Sequence, residues 1–242
     1  MGSIAIFMGD IAYALVHPPF RIRETIRQTA QIGANSIPIV SLISLFVGIV
    51  IALQSAYQMQ KMSAEMYIAS LVALSMIREL GPVLTALVVA GRSGAAITAE
   101  IGTMKVTEQI DALETLATNP INYLVVPRFW ALLVSVVVLT VYADFISMVG
   151  GYIVGVHKLH ISHHMYVKMT FDPLAQSDLR NGLYKSVVFA IIICVISCFE
   201  GMRAEEGAEG VGKATTSSVV RSFILIIAAD CLLTALMYFI GR

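Results

Sequence analysis

Long apolar stretches separated by short polar ones run along this chain. A bilayer core about 30 Å thick takes about 20 mostly apolar residues in a helix, because every backbone N–H and C=O must find its partner inside the segment. Five stretches meet that requirement. Residues 37–57 carry no charge, 66–91 are apolar except for Arg78 and Glu79, and 129–156 hold Asp144 as their one charge. Residues 183–199 contain Lys185 near their start, and 222–240 contain Asp230. The pattern predicts an all-α integral membrane protein with about five transmembrane helices and termini on opposite sides.

Two shorter patterns are helical without being long enough to span. In residues 20–32, Arg21, Arg23 and Arg27 alternate with Phe20, Ile22, Ile26 and Ala30, as in a helix lying on the membrane surface; an ordinary juxtamembrane anchor is the plainer alternative. Residues 1–36 are therefore read as an N-terminal interfacial amphipathic segment and 37–242 as the transmembrane domain. Between the second and third spans, Val106, Ile110, Leu113 and Ala117 form one stripe of a helix over about 100–119, which Asn119 and Pro120 would end. Its other side carries Glu108, Asp111 and Glu114, a poor match to an anionic leaflet. That combination favours a protein groove, the alternative being that the stripe packs beneath the chain's own helices.

Composition agrees. Hydrophobic residues make up 57% and charged residues 13%, where a soluble domain carries about 25% charge, and the mean hydropathy is +0.81; a soluble enzyme and a disordered tail are both excluded. Sixteen basic residues balance sixteen acidic ones, so no basic face offers itself to nucleic acid. Cys194, Cys198 and Cys231 lie in apolar runs without a C-x-x-C pair and read as small core residues. The first twenty residues lack the basic start of a cleavable signal peptide, and the apolar run 11–16 is cut short by His17, Pro18 and Pro19, so the N-terminus is expected to be retained. With that terminus inside, inner segments hold nine Lys and Arg against six outside, which orients the N-terminus and the loops 92–128 and 200–221 toward the cytoplasm.

Charges inside a bilayer cost at least about 2.5–3.5 kcal/mol and mark interiors or wet cavities. Arg78 and Glu79 precede Gly81 and Pro82; Pro82 cannot donate to the Arg78 carbonyl, so the helix is expected to kink or break beside the charges, an arrangement that often marks substrate sites. An internal Arg78–Glu79 ion pair that locks packing is the structural alternative. Asp144 shares a helix face with Thr140, Ser147, Gly151 and Gly155, a face that should meet protein. Ala86, Ala90, Gly94 and Thr98 form a second small-residue seam. Asp230, one turn before Thr234, reads as a hydrogen-bonded structural carboxylate.

Three motifs lead elsewhere. Residues 207–213 read GAEGVGK, but Ala214 stands where a phosphate-binding loop needs Ser or Thr for magnesium, so this chain is not expected to bind ATP. His157, His160, His163 and His164 resemble part of a di-iron desaturase box, yet the chain has five histidines in all; an exposed, adventitious metal patch is the better reading. No nucleophile elbow or Cys/His arrangement suggests catalysis, and neither a catalytic residue nor a built metal site is expected.

Residues 78–111 (RELGPVLTALVVAGRSGAAITAEIGTMKVTEQID), 127–131 (PRFWA) and 212–220 (GKATTSSVV) closely resemble the MlaE family of ABC-transporter permeases. The resemblance runs from about residue 37 to the C-terminus. It implies a bacterial inner-membrane permease that works as a homodimer with two cytoplasmic ABC ATPase subunits, which bind the ATP and magnesium. It further implies transfer of phospholipid between that membrane and a periplasmic MCE-domain oligomer, in the service of outer-membrane lipid asymmetry, and leaves room for a small STAS-type cytoplasmic subunit. The segment from Glu100 through Lys105 and Glu108 to Asp111 matches the family's coupling helix, which sits in the ATPase groove. Arg78 and Glu79 match a charged pair beside a lipid cavity between protomers. On this reading Arg78 meets the lipid phosphate, and Ile51, Gln54, Tyr57, Met59 and Met62 line the acyl chains, methionine being adaptable to a variable tail. A reading from another class is an ion- or proton-coupled carrier that uses Glu79, Asp144 and Asp230 as a relay.

Overall fold

A computed structural model describes residues 2–16, 21–61 and 64–240. Among these residues the chain forms helices and no strand. They are α1 (Gly2–Val16), α2 (Ile22–Gln60), α3 (Glu65–Val106), α4 (Gln109–Thr115), α5 (Ile121–His157), α6 (His163–Phe171), α7 (Gln176–Met202) and α8 (Gly207–Ile240). The five long ones, α2, α3, α5, α7 and α8, are each long and apolar enough to cross a membrane, as the apolar stretches predict.

The helices outrun the apolar stretches that announce them. Helix α2 has 39 residues and passes through Pro38, so residues 22–32 are continuous with the first span. A short helix, α1, precedes it. It buries Phe7, Ile11 and Ala14, one stripe, and exposes Ile6, Met8, Tyr13 and Val16; the Phe7 ring sits 5.7 Å from that of Phe199. Phe20, Met62 and Arg242 lie outside the described residues.

Contacts divide the chain into two compact units, residues 1–36, 86–136 and 187–231 in one, and 37–85, 137–186 and 232–242 in the other. In the second, α2 and α5 cross at backbone distance. A Cβ on Gly48 would stand 2.0 Å from the Ser147 carbonyl oxygen and one on Gly150 would stand 2.4 Å from that of Leu45, so only glycine permits the approach. Nearby, Ala52 and Ala56 of α2, Ile68, Val72 and Met76 of α3 and Val154 of α5 form a buried apolar cluster. The Asp144 face does meet protein: Thr140, Asp144 and Ser147 are buried, and Gly151 and Gly155 receive Tyr166 of α6. Burial pushes the Tyr166 phenol up to about 12, so it stays neutral there.

In the first unit, the seam of Ala86, Ala90, Gly94 and Thr98 is buried. Thr98 donates to the Ser197 carbonyl at 3.0 Å and meets the Ser218 hydroxyl at 2.8 Å, joining α3, α7 and α8. Cys194 and Cys198 are buried as expected, but Cys231 is exposed because it lies on the outer side of α8. Only 11% of the most apolar window of α8 and 28% of that of α2 is buried, against 67% in α7. The first and last spans thus present most of their apolar surface outward.

Candidate functional site

The charged pair is positioned by an irregular stretch of α3. From Met76 to Leu80 the helix widens into a π-turn, with the Gly81 N–H donating to the Met76 carbonyl five residues back. The widening accommodates Pro82, which has no N–H to give. The helix therefore bulges and continues where a break was one expectation. Two further π-turns follow, Ala90–Gly94 within α3 and Ile121–Val125 just before Pro127 at the start of α5.

Arg78 and Glu79 do not pair with each other. The Arg78 Nε and Nη2 both reach Asp178 Oδ1 at 2.8 Å. The other oxygen of Asp178 accepts the Ala175 N–H at 3.1 Å, so this carboxylate, in the first turn of α7, also closes the start of that helix. Glu79 accepts from Lys185 of α7, and the Lys185 ammonium donates to the Thr234 hydroxyl at 2.7 Å. Lys185 is 1% exposed, whereas the side chains of Arg78 and Glu79 are 54% and 41% exposed. Two crossed ion pairs, seven residues apart on α7, thus tie the π-turn to that helix, sum to zero charge, and leave the outer faces of Arg78 and Glu79 accessible. Asp144 comes close by another route: its Oδ1 is buried without a hydrogen-bond partner where a Cβ on Gly81 would stand 1.8 Å away. Glycine at 81 is what admits the carboxylate.

The proposed acyl-chain residues separate. Ile51 and Met59 pack against the buried cluster, while Gln54 and Tyr57 are exposed and the Lys61 ammonium sits 4.3 Å from the Tyr57 ring centre. Met62 is outside the described residues.

The single helix expected over 100–119 is two. Helix α3 runs to Val106, Glu108 takes a left-handed conformation (φ 57°), and α4 occupies Gln109–Thr115. The end also comes early, at a left-handed Ala117 (φ 55°), with Asn119 accepting the Ile121 N–H at 2.9 Å. Lys105 and Asp111 bridge the turn at 2.8 Å. Glu100 pairs with Arg128 of α5 at 2.9 Å, a buried guanidinium that also donates to the Leu124 carbonyl at 2.8 Å. Of the stripe, Ile110 is buried, Val106 and Leu113 are half-buried and Ala117 is exposed; Glu108, Asp111 and Glu114 face solvent with Leu116, which is 75% exposed. A groove of about 590 Å³ opens here, lined by Phe7, Lys105, Ile110, Glu114, residues 117–121 and Met202.

The other motifs resolve plainly. Residues 207–213 are the first turns of α8. The four clustered histidines are not gathered into a metal patch: among the described residues no three His, Cys, Asp or Glu side chains are placed to hold an ion. His163 instead meets the Tyr152 hydroxyl at 2.7 Å.

The family model for Permease MlaE matches residues 25–236. The chain belongs to the MlaE permease family. It is 47% identical over 238 residues, 98% of this chain and 92% of the relative, to a probable ABC transporter permease protein of Rickettsia felis. It is 39% identical over 217 residues, 89% and 83% of the two chains, to the intermembrane phospholipid transport system permease protein MlaE of Haemophilus influenzae. It is 34% identical over 236 residues, 98% and 67%, to the chloroplastic protein TRIGALACTOSYLDIACYLGLYCEROL 1 of Arabidopsis thaliana. This MlaE-family permease is accordingly a multi-pass membrane subunit of the ABC-transporter class. The partners Asp178, Lys185 and Thr234 escape a reading by spans. Lys185 stands near the start of the fourth apolar stretch and Asp178 lies before it as a loop acid, and nothing in the spacing pairs either of them with Arg78 or Glu79.

Proposed function

We propose that this MlaE-family permease moves phospholipid between the bacterial inner membrane and a periplasmic MCE-domain oligomer, in support of outer-membrane lipid asymmetry. The observation that carries the proposal is the 39% identity, over 89% of the chain, to a relative named for intermembrane phospholipid transport. The site supports it chemically: the half-exposed Arg78 guanidinium suits a phosphate diester, and Glu79, held from behind by Lys185, limits how firmly that phosphate is kept.

The working unit is a homodimer, supported by the outward apolar surfaces of α2 and α8. Two cytoplasmic ATPase subunits bind ATP and magnesium and engage the acidic, Leu116-bearing outer side of residues 100–119, with Glu100, Lys105, Glu108 and Asp111 shaping the turn; a small STAS-type subunit joins them. The N-terminus is cytoplasmic. Gln54, Tyr57, Arg78 and Glu79 face the lipid, while Ile51 and Met59 support them from the core.

The test is purification of the tagged chain from its host in gentle detergent, followed by mass spectrometry of co-purifying proteins and lipids. An ATPase, an MCE-domain protein and bound phospholipid are expected. A chain that carries no ATPase and transports only when a proton or ion gradient is applied would overturn the proposal.

A further inference from the structure

A pocket of about 200 Å³ lies in the first unit, lined by Arg21, Arg27, Glu100, Tyr123 and Arg128 among others. The Arg21 guanidinium stacks on the Tyr123 ring, 3.8 Å from its centre. Arg27 keeps a loose pairing with Glu24 at 3.9 Å and is 77% exposed. Arg128 is 4% exposed, fixed by Glu100 and the Leu124 carbonyl, and its Nε is buried with no hydrogen-bond partner. Three arginines against two glutamates leave one positive charge in a site with one immobile, incompletely satisfied guanidinium. Beside it on α2, Ile22 and Ile26 are 69% and 64% exposed. Bare isoleucines next to exposed arginines are what a helix start presents at a lipid headgroup layer.

We infer that this pocket binds the phosphate of an anionic phospholipid headgroup from the leaflet in contact with the first turns of α2, with Arg21 and Arg27 drawing it in and Arg128 as the fixed wall. The site is made of other residues than Arg78 and Glu79 and serves retention, not cargo passage. A bound headgroup bridges the start of α2 to Glu100 and Met104 near the end of α3 and to Tyr123 at the start of α5. Occupancy would therefore stiffen the elements that flank α4. On the orientation read from loop charge this is the anionic cytoplasmic leaflet, where each arginine near the surface is worth about 1 kcal/mol, or about fivefold in affinity.

The experiment uses the purified full chain in nanodiscs of mixed phosphatidylcholine and phosphatidylglycerol, with native mass spectrometry of retained lipid and a photoactivatable phosphatidylglycerol to map contacts. Expected are selective retention of phosphatidylglycerol, crosslinks at Met104 or Tyr123, and about fivefold weaker retention in each of Arg21→Gln and Arg27→Gln. Both variants alter exposed side chains and should fold; Tyr123→Leu, which removes the stacking platform, gives an independent reading. Equal retention by wild type and the arginine variants, or crosslinks confined to the Arg78 region, would overturn the inference. If inorganic phosphate displaces the phosphatidylglycerol at low concentration, the site recognises soluble phosphate and the lipid source is wrong. Phospholipid transport by Arg21→Gln tests the proposed function separately, because either result there leaves the retention assay readable.

Discussion

Lys185 carries the most weight of any single side chain at the charged site. A fully buried ammonium is tolerated only when paired, and here Glu79 and Thr234 supply the pairing. Lys185→Met should lower stability by up to about 3 kcal/mol, below the full effect of breaking a buried pair because Glu79 keeps some solvent. It should also stop transport. The double change Glu79→Gln with Lys185→Met should recover most of the thermal stability in detergent but not the transport. A double variant as unstable as the sum of the two single changes would contradict the pairing. Gly155 tests packing alone: a Cβ there would stand 2.2 Å from the Tyr166 ring, so Gly155→Val should cost about 1–3 kcal/mol, read as a lower unfolding temperature. The sequence makes Arg78, Glu79 and Asp144 visible because they are charges in apolar runs. Asp178 stays hidden because α7 begins at Gln176, seven residues before the apolar run that announces it, and Lys185 shows as a charge in that run without its partner.

The five spans are legible because each buries its backbone polar groups within one apolar run, a rule that leaves little choice. Their ends are not, since helices project beyond the hydrocarbon where polar side chains are free to continue them. That is why α3 reaches Val106 and α5 starts at Ile121. The stripe over 106–117 is genuine, but periodicity does not reveal a single left-handed residue. Glu108 strains at φ 57°, and Glu108→Gly should therefore hold or raise stability, by up to about 1 kcal/mol. The same change leaves α4 where it is, so ATP hydrolysis by the assembled transporter should persist. Ile110→Asp, by contrast, places a charge in the buried side of α4 and should detach it, leaving ATP hydrolysis unlinked from lipid movement. Hydrolysis and transport that both stay at wild-type levels in Ile110→Asp would show that α4 does not couple them.

At the scale of the whole molecule, the proposed function asks for more than one chain. Helices α2 and α8 turn apolar faces outward, the charged site has accessible faces on Arg78 and Glu79, and residues 207–213, the one stretch with part of a phosphate-loop sequence, are helical. In the proposed function, energy and the other half of a lipid passage come from partners, and the chain supplies the walls and the charge that let a lipid pass. The most direct test is ATP-dependent transfer of labelled phospholipid by the reconstituted complex, comparing wild type with Arg78→Gln. The account predicts that the variant assembles and hydrolyses ATP but moves no lipid, because the half-exposed guanidinium that meets the phosphate is gone while the buried Lys185–Glu79 pair is kept. Lipid transfer by Arg78→Gln at the wild-type rate would contradict it.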